Sequence, residues 1–416
     1  TQVDAQIKEE DAESSDVEPT SNGHGGLSAY ELERLENIRQ NQAFLSSINL
    51  LQVGTSLAVN STPAIKKCAG PLPMDPVNME EGGKLPSQLL QLCSEVGATY
   101  LVSGCRYQSN LKNMRITEDK VAKVVKDRIL SATFHPCNSS LLMAAGDKWG
   151  RVGLWNLDGG WGDDGVLLFH PHTRSVGCLA FSRAQPTQLL TLSYDGSLRC
   201  MDVEKTVFDD VYDIEDGLKT FDFMSHDCST LVVGNWFGEV AIVDRHEQSR
   251  LLMIYLLTCR TESKYDGLFR CLKKTNSQPV SQLHGHSLSI FGAYFSPCTG
   301  NRLLTSCMDN CIRVYDTSAM TTQSPLLTKI RYHHMQTGRW LSKLSAVWDP
   351  KQEDCFVVGS MTKPRRVQVF HESGQLQHSF MDEEKFNTVL SITAFHPTRN
   401  ALLGGNASGR LHVFSD

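Results

Sequence analysis

Lysine, arginine and tryptophan recur in short turns whose other residues are mostly glycine, aspartate and asparagine. These turns read Gly146-Asp147-Lys148-Trp149-Gly150-Arg151, Ser193-Tyr194-Asp195-Gly196 and Gly234-Asn235-Trp236-Phe237-Gly238. Further along come Met308-Asp309-Asn310, Met361-Thr362-Lys363-Pro364-Arg365-Arg366 and Asn406-Ala407-Ser408-Gly409-Arg410. Neighbouring loops add Lys126, Arg128, His172, Arg174, Arg331, Arg339, Trp340 and Lys343. Cations paired with flat aromatic rings suit one chemistry above others: ammonium and guanidinium groups neutralise phosphates, while the rings stack on bases or wedge between them. No catalytic constellation accompanies them. The chain has no Gly-x-Ser-x-Gly, no phosphate-binding loop and no His-Glu-x-x-His. Asp147, Asp195 and Asp309 read as ordinary turn residues, and His284 with His286 as a turn leading into a strand. A non-enzymatic binding protein with no cofactor, metal or small-molecule substrate is expected.

The turns belong to a repeat. An aromatic residue followed by a strand-breaking one stands at Phe134-His135-Pro136, Phe181-Ser182, Phe223-Met224-Ser225, Phe295-Ser296-Pro297, Trp348-Asp349-Pro350 and Phe395-His396-Pro397. Each is followed by an apolar strand, one of the turns above, and a strand closing on Trp155-Asn156, Met201-Asp202, Val243-Asp244, Tyr315-Asp316, Phe370-His371 or Phe414-Ser415. The aromatics lie about 47, 42, 72, 53 and 47 residues apart, near the period of a four-stranded propeller blade. One motif order kept through six copies is not what an irregular sandwich produces. Consecutive antiparallel strands bring all second-to-third-strand turns to one face, around the channel mouth. The fold class is therefore all-β, a β-propeller. Its last copy ends one strand early, and residues 119–125, where Val121, Lys123 and Val125 alternate, are expected to supply the missing outer strand.

Hydrophobic content of 40% and charge of 21% are those of a globular protein, and no apolar window is long enough for a membrane helix. The 13 cysteines are scattered without any Cys-x-x-Cys, the pattern of reduced thiols in an intracellular protein. Residues 1–20 hold seven acids against Lys8, which accounts for the whole net charge of −6 and leaves the remainder neutral on balance. Residues 1–27 are expected to be a disordered acidic tail. Residues 28–49 read as an amphipathic helix opened by a capping box, Ser28 with Glu31. Residues 50–111 are expected to be a linker, and 112–416 the propeller. The interval from Phe223 to Phe295 is too long for one repeat and too short for two, and 249–276 lacks the turn-strand-aromatic order. Either six blades carry a long insert here, or a seventh has been damaged or replaced.

Several strings are more specific than the repeat. They are Tyr30-Glu31-Leu32-Glu33-Arg34, Ala144-Ala145-Gly146-Asp147-Lys148-Trp149-Gly150, His333 to Trp340, Pro364-Arg365-Arg366-Val367 and His396-Pro397-Thr398-Arg399. On these the chain resembles the vertebrate WD-repeat protein 76 family and, more distantly, the small subunit of the UV-damaged-DNA-binding complex. The resemblance implies a nuclear, seven-bladed WD-repeat propeller that binds DNA in the damage response. It also implies service as a substrate receptor on a cullin–RING ubiquitin ligase, or as a scaffold in a chromatin complex. The site residues carried forward for DNA are Lys148, Trp149, Arg174, Trp236, Met335, Gln336, Arg339, Trp340, Lys343, Lys363, Arg365 and Arg366. Met335 and Gln336 stand where the damaged-DNA relative has an inserting hairpin, and Met335 is the expected wedge. Asp244 and Arg245 stand where a ligase adaptor would grip a Trp-Asp-x-Arg signature, of which only the aspartate is kept. Segment 249–276 is expected to be poorly ordered and the ring closure strained.

Overall fold

A strand buried on both sides must be apolar at every position rather than at alternate ones, and Leu142-Met143-Ala144-Ala145 is such a stretch, buried throughout. It is the second strand of a blade sandwiched between two others. The computed structural model describes residues 70–79, 85–95, 97, 104–162, 164–245, 250–255, 268–269, 281–319, 323–332 and 335–416. The acidic tail and the amphipathic helix lie outside the described residues.

Six four-stranded antiparallel blades are present among the described residues. The first four open with Ile129–Phe134, Val176–Phe181, Leu218–Phe223 and Ile290–Phe295 as innermost strands. The fifth opens with Val347–Trp348 and the sixth with Ile392–Phe395. The sixth is completed by Val121–Lys123, whose Ala122 pairs with Leu411, so the first strand of the ring belongs to its last blade, as the sequence led us to expect. Among the described residues there is no seventh blade. Arg250–Tyr255 is the outer strand of the third blade, paired with Glu239–Asp244, and not part of an insert. Leu268–Phe269 and Ser281–Gln282 pair only as two-residue strands, too short to make a blade. The rest of 249–276 lies outside the described residues.

Apolar cores cement the ring. Residues of the first and second blades share one, as do the second and third, fourth and fifth, fifth and sixth, and sixth and first. Among the described residues none spans the third and fourth. Phe295, the aromatic that faces the preceding blade, is 42% exposed, whereas Phe134, Phe181, Trp348 and Phe395 are buried.

Part of the expected linker is built into this architecture, which extends from Lys67. Leu72–Pro73 adds a fifth strand to the second blade. Helix α1 (Ser87–Cys93) buries Leu89 and Cys93 in the core of the first two blades. Helix α2 (Gly104–Asn113) seats Tyr107 and Leu111 against the fifth and sixth. The apolar positions Leu89, Leu92 and Cys93 are too few to show a helical period beside so many prolines and glycines.

The residue after the repeat aromatic caps the turn that follows, its side chain accepting backbone N–H groups there. His135 Nδ1 takes the Cys137 amide (3.1 Å), His396 Nδ1 that of Arg399 (2.9 Å), Asp349 Oδ1 that of Lys351 (2.9 Å) and Ser182 Oγ that of Gln185 (3.1 Å). This is why histidine, aspartate and serine alternate there. An imidazole accepting at Nδ1 must be neutral at that nitrogen, and burial lowers the pKa of His135 to about 4 and of His396 to about 3. An unfolded histidine titrates near 6.5, so the unfolded chain binds more protons below that pH. The stability linked to these rings is therefore complete above about pH 6.5 and drains away as pH falls toward the folded values, by up to roughly 3 kcal/mol for His135 and roughly 5 kcal/mol for His396. The urea midpoint should fall between pH 7 and 5, and fall less in His135→Asn, whose amide oxygen can still accept the Cys137 N–H.

Candidate nucleic-acid interface

The second-to-third-strand turns are fastened to the segments that enter the blades. Lys148 N–H donates to Arg128 O (3.1 Å), Tyr194 N–H to Ser175 O (2.9 Å), Trp236 N–H to Gly217 O (2.9 Å) and Met308 N–H to Ser289 O (3.0 Å). All of them thus lie on one face, around the channel mouth. Each turn is stiffened from within. Asp147 Oδ1 accepts from Trp149 and Arg151, Asn235 Oδ1 from Phe237 and Glu239, and Asn406 Oδ1 from Ser408 and Arg410. Asp195 is occupied in the same way, by Ser197 and by the buried His172. The carboxylates of Asp147 and Asp195 are thus engaged in holding their own turns.

His286, Cys307 and Asp309 bring three ligand atoms within 4.8 Å of one another. A metal ion does not fit them, because Arg313 already places its guanidinium on Asp309 (2.6 Å) and on His286 Nδ1 (3.1 Å). The cluster is a buried brace of the fourth blade, with His286 also 3.1 Å from the Tyr315 hydroxyl.

Eleven of the twelve expected DNA-contacting residues stand on or beside the mouth face with side chains at least partly in water: Lys148, Trp149, Arg174, Trp236, Gln336, Arg339, Trp340, Lys343, Lys363, Arg365 and Arg366. Trp340 is 86% exposed and Trp149 51%, with Lys148 Nζ 4.8 Å from the centroid of the Trp149 ring. Met335 is the clear correction. It is fully buried in the core of the fourth and fifth blades, its N–H held by Asn310 Oδ1, and has no tip to wedge into a base step. Gln336 is exposed but its amide is tied to Met308 O (3.0 Å). Arg365 is half-buried, its guanidinium bonded to Met361 O across its own turn, and Arg366 Nε bonds Pro364 O (3.0 Å). Asp244 and Arg245 lie at the far end of the third blade. There Arg245, half-buried, donates to Cys228 O (3.1 Å) and to Gln188 of the second blade.

Sequence reasoning passed over Lys219. It is the second residue of the innermost strand of the third blade, after the buried Leu218, and its Nζ lies 5.0 Å over the Trp236 ring. That charge was the available signal. Surrounding protein, with the positive charge of Lys343 adding to it, lowers the pKa of Lys219.

Charge pairing differs between the two faces. On the opposite rim, Lys205 meets Asp202 and Asp209, Arg302 meets Asp316 and Glu372, His371 meets Asp354, and Lys351 meets Asp349, while Arg183 and Arg399 have no carboxylate partner among the described residues. At the mouth, Arg151 is paired with Asp127 and Asp147. Among the described residues, however, Lys148, Arg174, Lys219, Arg339, Lys343, Lys363, Arg365 and Arg366 have no carboxylate within ion-pair distance. Acidic groups are present on this face too, at Asp213, Glu215 and Asp216 and at Asp382, Glu383 and Glu384. The uncompensated cations therefore form an arc and not a full ring.

Residues 277–316, the fourth blade with its entering segment, match the WD domain, G-beta repeat. The propeller resembles the β-propeller domain of Myceliophteria thermophila Cps50 (Swd1), with a TM-score of 0.53 and 14% identity over 71% of this chain and 99% of that one. WD repeat-containing protein 76 of Xenopus laevis is 41% identical over 469 positions, covering 94% of this chain and 80% of that protein. Its Mus musculus counterpart is 39% identical over 486 positions, covering 97% and 77%. Both alignments are longer than the 416 residues of the chain, so these relatives carry internal residues that it lacks. A DNA damage-binding protein CMR1 of Scheffersomyces stipitis is 27% identical over 341 positions, 70% of this chain and 65% of that protein. With repeat, propeller and near full-length likeness in agreement, the chain belongs to the WD repeat-containing protein 76 family.

Proposed function

We propose that this protein binds DNA through the basic and aromatic loops of the channel-mouth face, as a non-enzymatic member of the nuclear DNA damage response. The observation that carries the reading is the uneven compensation of charge. Lys205, Arg302 and Lys351 on the far rim are neutralised within the protein, leaving Arg183 and Arg399 there without a carboxylate among the described residues, whereas Lys148, Arg174, Arg339, Lys343, Lys363 and Arg366 all lack one, and they share a face with Trp149, Trp236 and Trp340. Desolvated or closely spaced cations without counter-charges favour an anionic partner. The damage-binding name of the fungal relatives agrees with it.

The competing reading is a substrate receptor or scaffold, on a cullin–RING ligase or a chromatin complex, holding a peptide on the same face. Fluorescence anisotropy with a short duplex at several salt concentrations separates the two. Six phosphate contacts give a log–log slope of about −5. A slope near zero, with affinity governed by one or two aromatic side chains, would instead identify a peptide groove.

A further inference from the structure

A phosphate track needs cations but has no use for flat apolar rings standing in water. The third-blade turn carries two in succession, Trp236 at 56% exposure and Phe237 at 63%. They are rigidly presented. Asn235 Oδ1 accepts the Phe237 and Glu239 amides, and Gly238, at φ +86°, closes the turn in a conformation that disfavours a side chain. The Trp236 ring meets Tyr194 at right angles with centroids 5.4 Å apart. Arg174 lies over Tyr194 (5.9 Å) and Lys219 over Trp236 (5.0 Å). Close packing at this point requires glycine at 217, where a Cβ would lie 2.8 Å from the Tyr194 ring. Burial and then the positive charge of Lys343 lower the pKa of Lys219, and neither lysine has a carboxylate partner among the described residues.

We infer that this corner of the mouth is a seat for one unpaired nucleotide of a DNA strand, its base stacked on Trp236 and Phe237 and its phosphate held by Lys219 and Lys343. The inference rests on the DNA-binding reading and adds to it a preference for unpaired over paired bases. Within a duplex both faces of a base are covered by its neighbours, so rings held outside the helix stack only on a base that has left the pair. Arg174, Lys219 and Lys343 rule out a cationic guest such as a methylated lysine, although aromatic corners elsewhere suit one. The seat also takes the place of the expected Met335 wedge, which is buried.

The test measures binding of the full chain to three DNA probes: an oligothymidylate strand, a fully paired duplex, and the same duplex with a short central mismatch bubble. The bubble and the single strand should bind more tightly than the duplex. Stacking of one base is worth roughly tenfold or more in affinity. Trp236→Ala with Phe237→Ala should therefore weaken binding of the bubble and the strand by about that factor more than it weakens binding of the duplex. Trp236→Phe, which keeps a ring, should restore most of it, and it guards against a variant that fails to fold. Equal losses on all three probes, or no loss on any, would overturn the seat while leaving the DNA-binding face intact. Failure of the unmodified protein to bind any probe would instead overturn the DNA-binding reading itself.

Discussion

Reversing Lys343 and Lys363 together, as Lys343→Glu with Lys363→Glu, is expected to weaken binding to any duplex by roughly sixtyfold near 0.1 M salt. Each phosphate contact releases about 0.9 of a counterion, which at that salt corresponds to about eightfold in affinity per contact. Two lost contacts multiply, and the introduced carboxylates add repulsion. The log–log salt slope should become shallower by about two units. Both side chains are exposed and carry no hydrogen bond or ion pair among the described residues, so thermal stability should stay within about 0.5 kcal/mol of the unmodified protein. This pair is a cleaner probe than Arg365 and Arg366. The Arg365 guanidinium holds its own turn together, and reversing it would confound loss of contact with loss of shape. Lys112→Glu, on the exposed side of α2, is the control and should leave DNA affinity nearly unchanged. The measurement is anisotropy across a salt series, and a variant that binds like the unmodified protein at low salt contradicts the account.

Asp349→Ala is expected to cost about 3–5 kcal/mol of stability, the largest single-residue effect proposed. Asp349 is fully buried in the first turn of the fifth blade and meets Lys351 Nζ at 3.0 Å. Its second oxygen accepts the Tyr107 hydroxyl of α2 (2.9 Å). Lys351, itself 3% exposed, also donates to His396 O of the sixth blade (2.7 Å) and lies over the Phe395 ring (4.9 Å). One ion pair therefore joins two blades and the segment that precedes the ring. Removing the carboxylate leaves a buried ammonium without its counter-charge, and that penalty dominates over the lost packing. Neutralising both partners, as Asp349→Leu with Lys351→Met, should recover most of the loss in urea titrations. A double variant as unstable as Asp349→Ala would show that packing, and not the orphaned charge, sets the cost.

The repeat was legible because one aromatic and one capping residue recur at a spacing that survives loop variation. The same signal placed the closing strand, since a last copy that ends at Phe414-Ser415 has no outer strand of its own. The blade number was not legible. Within Arg250–Tyr255 the residues from Leu251 on are a continuous apolar run without a turn signature after it, and a run of that kind says strand without saying which sheet it joins. Leu89 and Cys93 were hidden in the supposed linker because a helix of seven residues shows barely two turns of period. At the site, residue type found the face but could not tell presentation from burial. Met335 and Trp340 lie five positions apart in one loop, the first at 0% exposure and the second at 86%. Only the packing of the fourth blade on the fifth, which encloses Met335, separates them. Lys219 escaped notice for the opposite reason, as a charge on a strand read as scaffold.

Hydrogen–deuterium exchange of the 416-residue chain with and without a short duplex tests the central claim most directly. The account predicts slower exchange on adding DNA in the mouth-face segments 146–151, 336–343 and 361–366, with no change in the opposite-rim segments 202–209 and 349–354. Protection confined to the opposite rim, or none in a sample that binds DNA, would contradict it.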